Sequence, residues 1–258
     1  MEAAVAHRGR WTPRRLRAAN LVVGLLHLLQ AVVILWLAND FAIAVTGQFA
    51  DGPPGTGPFV SEQLFDVRFG PAIALFLGLA ALDHLLMAAP RVNGWYERNL
   101  DRGINVARWL EYSASASVMI VLIALLTGID GIYALIAIFG VNASMILFGL
   151  LMERVNPPGR DVDWLPFWLG CLAGAVPWIA IAVAIVGSQA DSGSVPGFVF
   201  GIFVSLFILF NCFAVNMALQ YRGVGRWRDY RFGEAGYIGL SLVAKSALAW
   251  QVFFPTLI

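Results

Sequence analysis

Seven apolar segments dominate the sequence, and each is long enough to cross a lipid bilayer. A helix rises about 1.5 Å per residue, so about 20 apolar residues cover a hydrocarbon layer of roughly 30 Å. A mean hydropathy of +0.75 and a charged fraction of 13% also indicate an integral membrane protein. We therefore predict an all-α membrane protein, a seven-transmembrane helix bundle that forms one domain. The segments lie near residues 18–39, 68–89, 104–127, 131–152, 164–187, 196–221 and 234–256.

Charge and cysteine content exclude several classes of protein. The formal net charge is +1 and the arginines are dispersed among short loops, so we expect no nucleic-acid partner. Cys171 and Cys212 lie inside apolar segments, where they indicate small packing residues rather than a disulfide framework. The sequence has no phosphate-binding loop, no Gly-x-Ser-x-Gly elbow and no His-x-x-x-His pair. We therefore expect neither an enzyme nor a metal site.

Arginine positions indicate the orientation of the segments in the membrane. Fifteen of the sixteen arginines lie in the N-terminal tail or in every second connection, and the opposite connections hold only Arg68 beside several acidic residues. The positive-inside rule then predicts a multi-pass protein of the cell membrane, with residues 1–17 as a cytoplasmic tail and the C-terminus outside. The fifteen arginines are Arg8, Arg10, Arg14, Arg15, Arg17, Arg91, Arg98, Arg102, Arg108, Arg154, Arg160, Arg222, Arg226, Arg228 and Arg231.

The outer connection between the first two segments, residues 40–67, is the only long loop in the sequence. It contains Thr46-Gly47 and Asp51-Gly52, and such pairs favour tight turns. Short β-prone pieces flank these turns at residues 41–45 and 59–60. We therefore predict a small hairpin-like cap in this loop.

Lys245 is the only lysine in the chain, and it lies in the middle of the last apolar segment. If Glu234 marks the edge of the membrane, Lys245 lies about 16 Å along the helix, close to the midplane of the bilayer. A charged amine at that depth destabilises the segment by about 3 kcal/mol or more unless it has a partner or a reaction. A lysine kept out of water can also condense with an aldehyde. Position alone leaves a structural ion pair and a covalent ligand site equally open.

The other ionisable residues inside the segments lie in the cytoplasmic half. Glu111 is the most deeply placed carboxylate, which makes it the natural partner of Lys245. Arg108 shares a helix face with Glu111 and could pair with it instead. Asp83 lies nearer the surface, where we expect a solvated or locally paired carboxylate. The outer half of each segment lacks acidic, basic and histidine side chains.

Two histidines and a serine lie at depths similar to those of the charged residues. His27 and His84 could each be an ordinary core residue, or together they could form a cavity that holds a proton. Ser241 lies one turn before Lys245. Bulky side chains on five segments could line a pocket beside Lys245; such residues usually form bundle packing, but they also suit a long, flat, apolar ligand. The pocket candidates are Met119, Asn142, Met145, Trp168, Trp178, Phe207, Phe210 and Trp250.

Seven segments with a lysine in the middle of the last resemble the microbial rhodopsins, in which that lysine carries retinal as a Schiff base. Residues 108–120, 138–149 and 241–251 are more specifically similar to the heliorhodopsins, and the similarity extends from Asn20 onward. The resemblance implies all-trans-retinal on Lys245, Glu111 as the counterion, a small sheet in the first outer loop, and a homodimer. It assigns His27, His84, Ser241 and Arg108 to an inner polar cavity. It also implies a cytoplasmic N-terminus, in agreement with the arginine count.

We therefore predict a light-sensing membrane protein in which photoisomerisation drives a conformational signal without ion pumping. A light-gated proton or ion channel, or a transporter, is the first alternative. A bundle without retinal, in which Lys245 and Glu111 form a structural pair, is the second. The expected partners are retinal, the lipid bilayer and a second copy of the chain.

Overall fold

The computed structural model describes residues 11–53, 55–191 and 196–257, so Arg8 and Arg10 lie outside the described residues. All its helices except the short α3 are long and apolar enough to cross a membrane, which gives seven candidate spans. The prediction of a seven-helix membrane bundle is therefore confirmed. The helices are α1 (Pro13–Leu37), α2 (Phe69–Ala88), α3 (Pro90–Asp101), α4 (Val106–Leu126), α5 (Ile132–Val155), α6 (Leu165–Asp191), α7 (Gly197–Tyr221) and α8 (Tyr230–Thr256).

Two helices begin earlier than predicted because polar residues cap them. The hydroxyl of Thr12 accepts a hydrogen bond from Arg15 N at 3.3 Å, so α1 begins at Pro13, inside the predicted tail. The carboxylate of Asp229 accepts from Arg231 N at 3.0 Å, so α8 begins at Tyr230. Glu234 therefore lies about one turn inside α8 and is only 2% exposed. It does not mark the water edge, as the sequence analysis assumed.

The connections define two ends of the bundle. The arginine-rich end comprises the start of α1 and the α2–α4, α5–α6 and α7–α8 connections. It includes α3, which was not predicted and which buries Asn93, Tyr96 and Leu100. It also includes a 3₁₀ helix, Gly225–Arg228. The opposite end, called the hairpin end, carries the α1–α2 loop.

The α1–α2 loop forms the predicted hairpin, which confirms this part of the fold. Strands β1 (Ala42–Ala50) and β2 (Phe59–Arg68) pair antiparallel and are longer than the predicted pieces, with a bulge between Val45 and Thr46. The side chain of Val45 is fully buried in the bundle core. Thr46 N donates to Asp130 O at 3.0 Å, which attaches the hairpin to the α4–α5 connection.

Helix packing leaves space for a site in the middle of the bundle. Helix α1 packs against α2 and α8, α2 against α4, α4 against α5, α5 against α6, and α7 against α8. Helices α6 and α7 meet through Trp178, whose ring lies 5.4–5.7 Å from Phe203, Phe207 and Phe210. A large apolar cluster that includes Ile34, Phe69 and Leu248 fills the half of the bundle nearest the hairpin end, called the hairpin half. Polar side chains therefore concentrate between the middle of the bundle and the arginine-rich end.

Candidate functional site

Lys245 and Glu111 form a buried ion pair between α8 and α4. Lys245 Nζ donates to Glu111 Oε1 at 2.9 Å and to Oε2 at 3.0 Å, and the two side chains are only 4% and 6% exposed. It also donates to Ser241 Oγ at 3.2 Å and lies 4.7 Å from the ring centre of Tyr112. The structure thus pairs the lysine with the carboxylate that the sequence analysis selected. Arg108, the alternative partner of Glu111, is engaged elsewhere.

An apolar cavity of about 310 Å³ lies beside Lys245, between α4, α5, α6, α7 and α8. This volume is at the lower end of the range of about 300–1,000 Å³ that is usual for small-molecule sites. Lys245 and Ser241 contribute polar groups at its wall, whereas most of the lining is aromatic or aliphatic. Five of the predicted pocket residues line the cavity: Met119, Met145, Trp178, Phe207 and Phe210.

Three other predicted pocket residues do not line this cavity. Trp168 is 61% exposed, because the cavity face of α6 carries Phe167 and, three turns later, Trp178. Trp250 Nε1 donates to Gln30 Oε1 at 2.9 Å, which directs the indole toward α1. Asn142 Nδ2 donates to Ser117 Oγ at 3.1 Å, between α5 and α4. On α6 the cavity is therefore lined by the predicted Trp178 and by Phe167, which was not predicted, and not by Trp168.

His27 and His84 form a buried pair on α1 and α2. Their rings are stacked, with centroids 5.9 Å apart and an angle of 13° between the planes. His84 Nδ1 lies 2.7 Å from Asn20 Oδ1. His84 Nε2 and both nitrogens of His27 have no hydrogen-bond partner among the described residues. The charge of Lys245 acts on both rings, so the pair belongs to the same electrostatic site as the lysine.

Arg108 lies at the centre of a second buried cluster, toward the arginine-rich end. Its guanidinium donates through Nη2 to Glu153 on α5 and through Nη1 to Glu234 on α8. Its Cζ atom lies 4.0 Å from the ring centre of Tyr237. All three ionised side chains are 3% exposed or less. One guanidinium thus ties α4, α5 and α8 together instead of pairing with Glu111.

Neutral donors complete the coordination of both carboxylates in this cluster. Glu153 accepts hydrogen bonds from Asn105 N at 2.8 Å, Trp109 Nε1 at 2.6 Å and Tyr230 OH at 2.8 Å. Glu234 accepts from Tyr96 OH at 2.9 Å and from Asn105 Nδ2 at 2.8 Å. Such extensive donation compensates for burying two carboxylates beside one guanidinium.

This cluster was not predicted, because Glu153 and Glu234 lie at the edges of the apolar segments in the sequence. The available signal was Arg108 itself, since an arginine inside a membrane segment needs acidic partners at its own depth. Asp83 also lies deeper than expected: it is half-buried on α2 and interacts electrostatically with Glu111 and Lys245.

Comparisons with solved structures show the same fold in microbial rhodopsins. A light-driven proton pump from Leptosphaeria maculans is 14% identical, with 92% of each chain covered and a TM-score of 0.65. The light-driven proton pump Coccomyxa subellipsoidea rhodopsin is 18% identical, with 94% of this chain and 96% of that chain covered and a TM-score of 0.62. Cyanorhodopsin from the cyanobacterium Tolypothrix sp. is 14% identical, with 94% and 95% covered and a TM-score of 0.64. Identities this low establish the fold alone.

Sequence comparison assigns the chain to one family within this fold. No curated protein matches the chain. The sequence profile of the Heliorhodopsin family, in contrast, matches residues 16–257, which is nearly the whole chain. The match includes α4 with Glu111 and α8 with Lys245, and it agrees with the resemblance found in the sequence. This chain is therefore a member of the heliorhodopsin family.

Proposed function

We propose that this protein is a light sensor in which Lys245 carries retinal and Glu111 is the counterion. The family and the fold support a retinal-binding, light-responsive membrane protein. The observation that carries the assignment is the contact of Lys245 Nζ with both oxygens of Glu111, at 2.9 and 3.0 Å. Nζ is the atom that would join the chromophore. When bound, all-trans-retinal would supply visible absorption and light-driven isomerisation.

The cavity and its charges fit such a chromophore. An elongated polyene is apolar along its length and has a single reactive end, which matches an apolar cavity with one amine at its wall. Glu111 stabilises a positive charge at Nζ because both groups are buried, where the effective dielectric constant is low. Ser241 Oγ lies 3.2 Å from Nζ and can accept a second hydrogen bond from the same atom.

The histidine pair supplies a place for a proton that leaves Lys245. Burial opposes a positive charge on His27 or His84, and repulsion by a positively charged Nζ adds to this effect. The loss of the proton from Nζ removes this repulsion, so the pair becomes a better acceptor at that moment. On the hairpin side of Lys245, the described part of α8 presents apolar Leu248, Ala249 and Val252 to the core. This asymmetry supports a proton that leaves toward the histidines and returns, without net transport.

The assignment is tested by adding all-trans-retinal to the purified apoprotein of the wild type and of Lys245→Ala. We expect a hydroxylamine-sensitive visible band in the wild type and its complete loss in Lys245→Ala, because the chain has no other lysine. Ser241→Ala is the matched control, since it changes a neighbour of Nζ and leaves the amine in place. A Lys245→Ala protein that kept the band would contradict the assignment.

A further inference from the structure

We propose that Asn20 is a positioning residue with two roles. It makes His84 Nε2 the proton-accepting nitrogen of the histidine pair, and it links His84, through Tyr96, to Glu234. This inference rests on the proposed function, because it concerns the fate of the proton that leaves Lys245. It adds a direction of transfer and a connection to the Arg108 cluster, neither of which follows from the lysine and its counterion.

The first step is the orientation of the Asn20 amide. Asn20 Nδ2 lies 3.1 Å from Leu16 O, and a carbonyl oxygen can only accept a hydrogen bond. The nitrogen of the amide must therefore face Leu16, which places Oδ1 against His84 Nδ1 at 2.7 Å. Asn20 is 2% exposed, so this orientation is fixed within the protein interior.

The second step is the tautomer of His84. Because Asn20 Oδ1 can only accept, His84 Nδ1 must carry a hydrogen atom and donate it. In the neutral ring the other nitrogen, Nε2, then has a free lone pair. Nε2 is buried and has no hydrogen-bond partner among the described residues. It is therefore an available base in the site that contains Lys245 and His27.

Tyr96 connects Asn20 to the arginine-rich end. Asn20 Nδ2 donates to Tyr96 OH at 3.3 Å, and Tyr96 OH donates to Glu234 Oε1 at 2.9 Å. Tyr96 is 1% exposed, and burial raises its pKa well above the usual value, so its hydroxyl remains a donor. His84, Asn20, Tyr96 and Glu234 thus form one chain of hydrogen bonds in which every donor faces the same way. The chain crosses α2, α1, α3 and α8.

The consequence is a coupling between proton position and helix packing. An imidazolium at His84 is a stronger donor to Asn20 than the neutral ring, and hydrogen bonds in a chain polarise one another. Stronger donation to Glu234 weakens the hold of that carboxylate on Arg108, which joins α4, α5 and α8. The charged and titratable groups that act on His84 are Lys245 on α8 and His27 on α1. Those that act on Glu234 are Asp83 on α2, Tyr96 on α3, Arg108 and Tyr112 on α4, and Tyr230 and Tyr237 on α8.

The tautomer is tested by ¹⁵N NMR of histidine-labelled protein in the dark, with His84→Gln used to assign the signals. We expect a protonated Nδ1 and an unprotonated Nε2 at His84 in the wild type. Asn20→Leu should give a mixture of tautomers, and Asn20→Asp, which keeps an acceptor oxygen, should restore the wild-type pattern. Asn93→Leu is the control, since it removes a buried side-chain amide of α3 whose one hydrogen bond among the described residues is to Met87 O. A wild-type His84 protonated at Nε2 would overturn the inference.

The connection to Glu234 is tested by light-minus-dark infrared difference spectroscopy of the retinal-loaded protein, with Glu234→Gln identifying the carboxylate band. Tyr96→Phe removes the hydroxyl link and leaves the Asn20–His84 contact, so the Glu234 band should disappear while the His84 tautomer is unchanged. Asn20→Leu should also slow formation of the deprotonated photoproduct by about tenfold, the effect of losing one buried hydrogen bond. A Glu234 band that persists in Tyr96→Phe would refute the link.

The two tests separate this inference from the function on which it rests. The dark visible band of each variant shows that the protein folds and binds retinal. A wild type without a light-sensitive visible band would contradict the proposed function, and the inference with it. A normal band with an unchanged photocycle in Asn20→Leu would contradict the inference alone.

Discussion

Glu111 can accept hydrogen bonds from Lys245 through both carboxylate oxygens because α4 and α8 place the two side chains at the same depth. Lys245 is thereby stabilised as a cation even though its side chain is only 4% exposed. The same geometry would stabilise a positively charged imine at Nζ, since the charge stays at the same atom. The energy of a positively charged imine at Nζ would therefore depend most strongly on the carboxylate of Glu111.

Replacing Glu111 with Gln removes the negative partner of Nζ and leaves the shape of the side chain nearly unchanged. We expect the visible band of the retinal-loaded protein to shift to longer wavelength where Nζ remains protonated, because the positive charge can then spread along the polyene. The proton at Nζ should also be lost at a lower pH than in the wild type. Both effects are measured by a spectroscopic pH titration.

Asp83→Asn is the matched control for this substitution. Asp83 interacts electrostatically with Lys245, but the hydrogen bonds of Nζ go to Glu111 and Ser241. We therefore expect a smaller spectral change from Asp83→Asn than from Glu111→Gln. A larger change would identify Asp83 as the main counterion.

At the residue scale, charge and depth explain what could be predicted. Lys245 and Glu111 stand out because each is a charged residue placed deep inside an apolar segment. The partners of Arg108 could not be assigned, because an error of one residue in a predicted helix boundary changes whether a glutamate is predicted to be buried or solvated. The exposed position of Trp168 could not be predicted for a similar reason. The sequence of a uniformly apolar helix does not show which face of the helix points toward the core.

At the element scale, length and hydropathy were sufficient to locate all seven spans. The amphipathic helix α3 was missed because its sequence is polar and follows Ala89-Pro90, which suggests a loop. The structure shows its importance, since α3 supplies Tyr96 to the buried cluster. The hairpin was predicted from its turns, but of these only Asp51-Gly52 lies between the strands. Thr46-Gly47 lies within β1, because residues 46–50 continue the pairing with residues 59–63.

Close approach of α4 and α5 depends on Gly149. A methyl group at this position would collide with the ring of Trp109, whose Nε1 donates a hydrogen bond to Glu153. We expect Gly149→Ala to lower the free energy of unfolding by about 1–3 kcal/mol, the usual effect of overpacking. Thermal unfolding of the detergent-solubilised protein, followed by circular dichroism, measures the change as a lower midpoint.

Gly140→Ala on the same helix provides the control for this prediction. Apart from the chain neighbours and the backbone of α5 itself, no atom of the described residues lies within 4 Å of a methyl group added at Gly140. The substitution should therefore leave the midpoint unchanged or raise it slightly, since alanine favours the helix by up to about 1 kcal/mol over glycine. Equal destabilisation by both substitutions would show that helix propensity, and not the Trp109 contact, governs the result.

At the scale of the whole molecule, the arginine-rich end contrasts with the hairpin end. Among the described residues, thirteen arginines belong to the first and one, Arg68, to the second. We expect a tag after Ile258 to be accessible from outside intact cells and a tag before Arg8 to be protected. Labelling with a membrane-impermeant antibody, before and after permeabilisation, measures both positions. The reverse pattern would contradict the predicted orientation, with the N-terminus in the cytoplasm and the C-terminus outside.

Light should drive no net proton transport in this protein. A pump needs titratable groups on both sides of the charged nitrogen, so that a proton taken up at one face is released at the other. Here Glu111 and His84 lie in the halves of α4 and α2 nearest the arginine-rich end, and His27 lies near the middle of α1. A cluster that includes Ile34, Phe69 and Leu248 fills the hairpin half. Moving an ion through that apolar layer costs several kcal/mol or more.

Illuminated cells that express the retinal-loaded protein should therefore show no pH change that an uncoupler abolishes, beyond the change in cells that express Lys245→Ala. The comparison is informative because two microbial rhodopsins of the same fold are light-driven proton pumps and can serve as positive controls. Voltage-clamped cells should likewise show no stationary photocurrent. A sustained, uncoupler-sensitive pH shift would establish a pump, and a current that reverses with the applied voltage would establish a channel. Either result would contradict the return of the proton to Lys245 and would require a path for ions through the hairpin half.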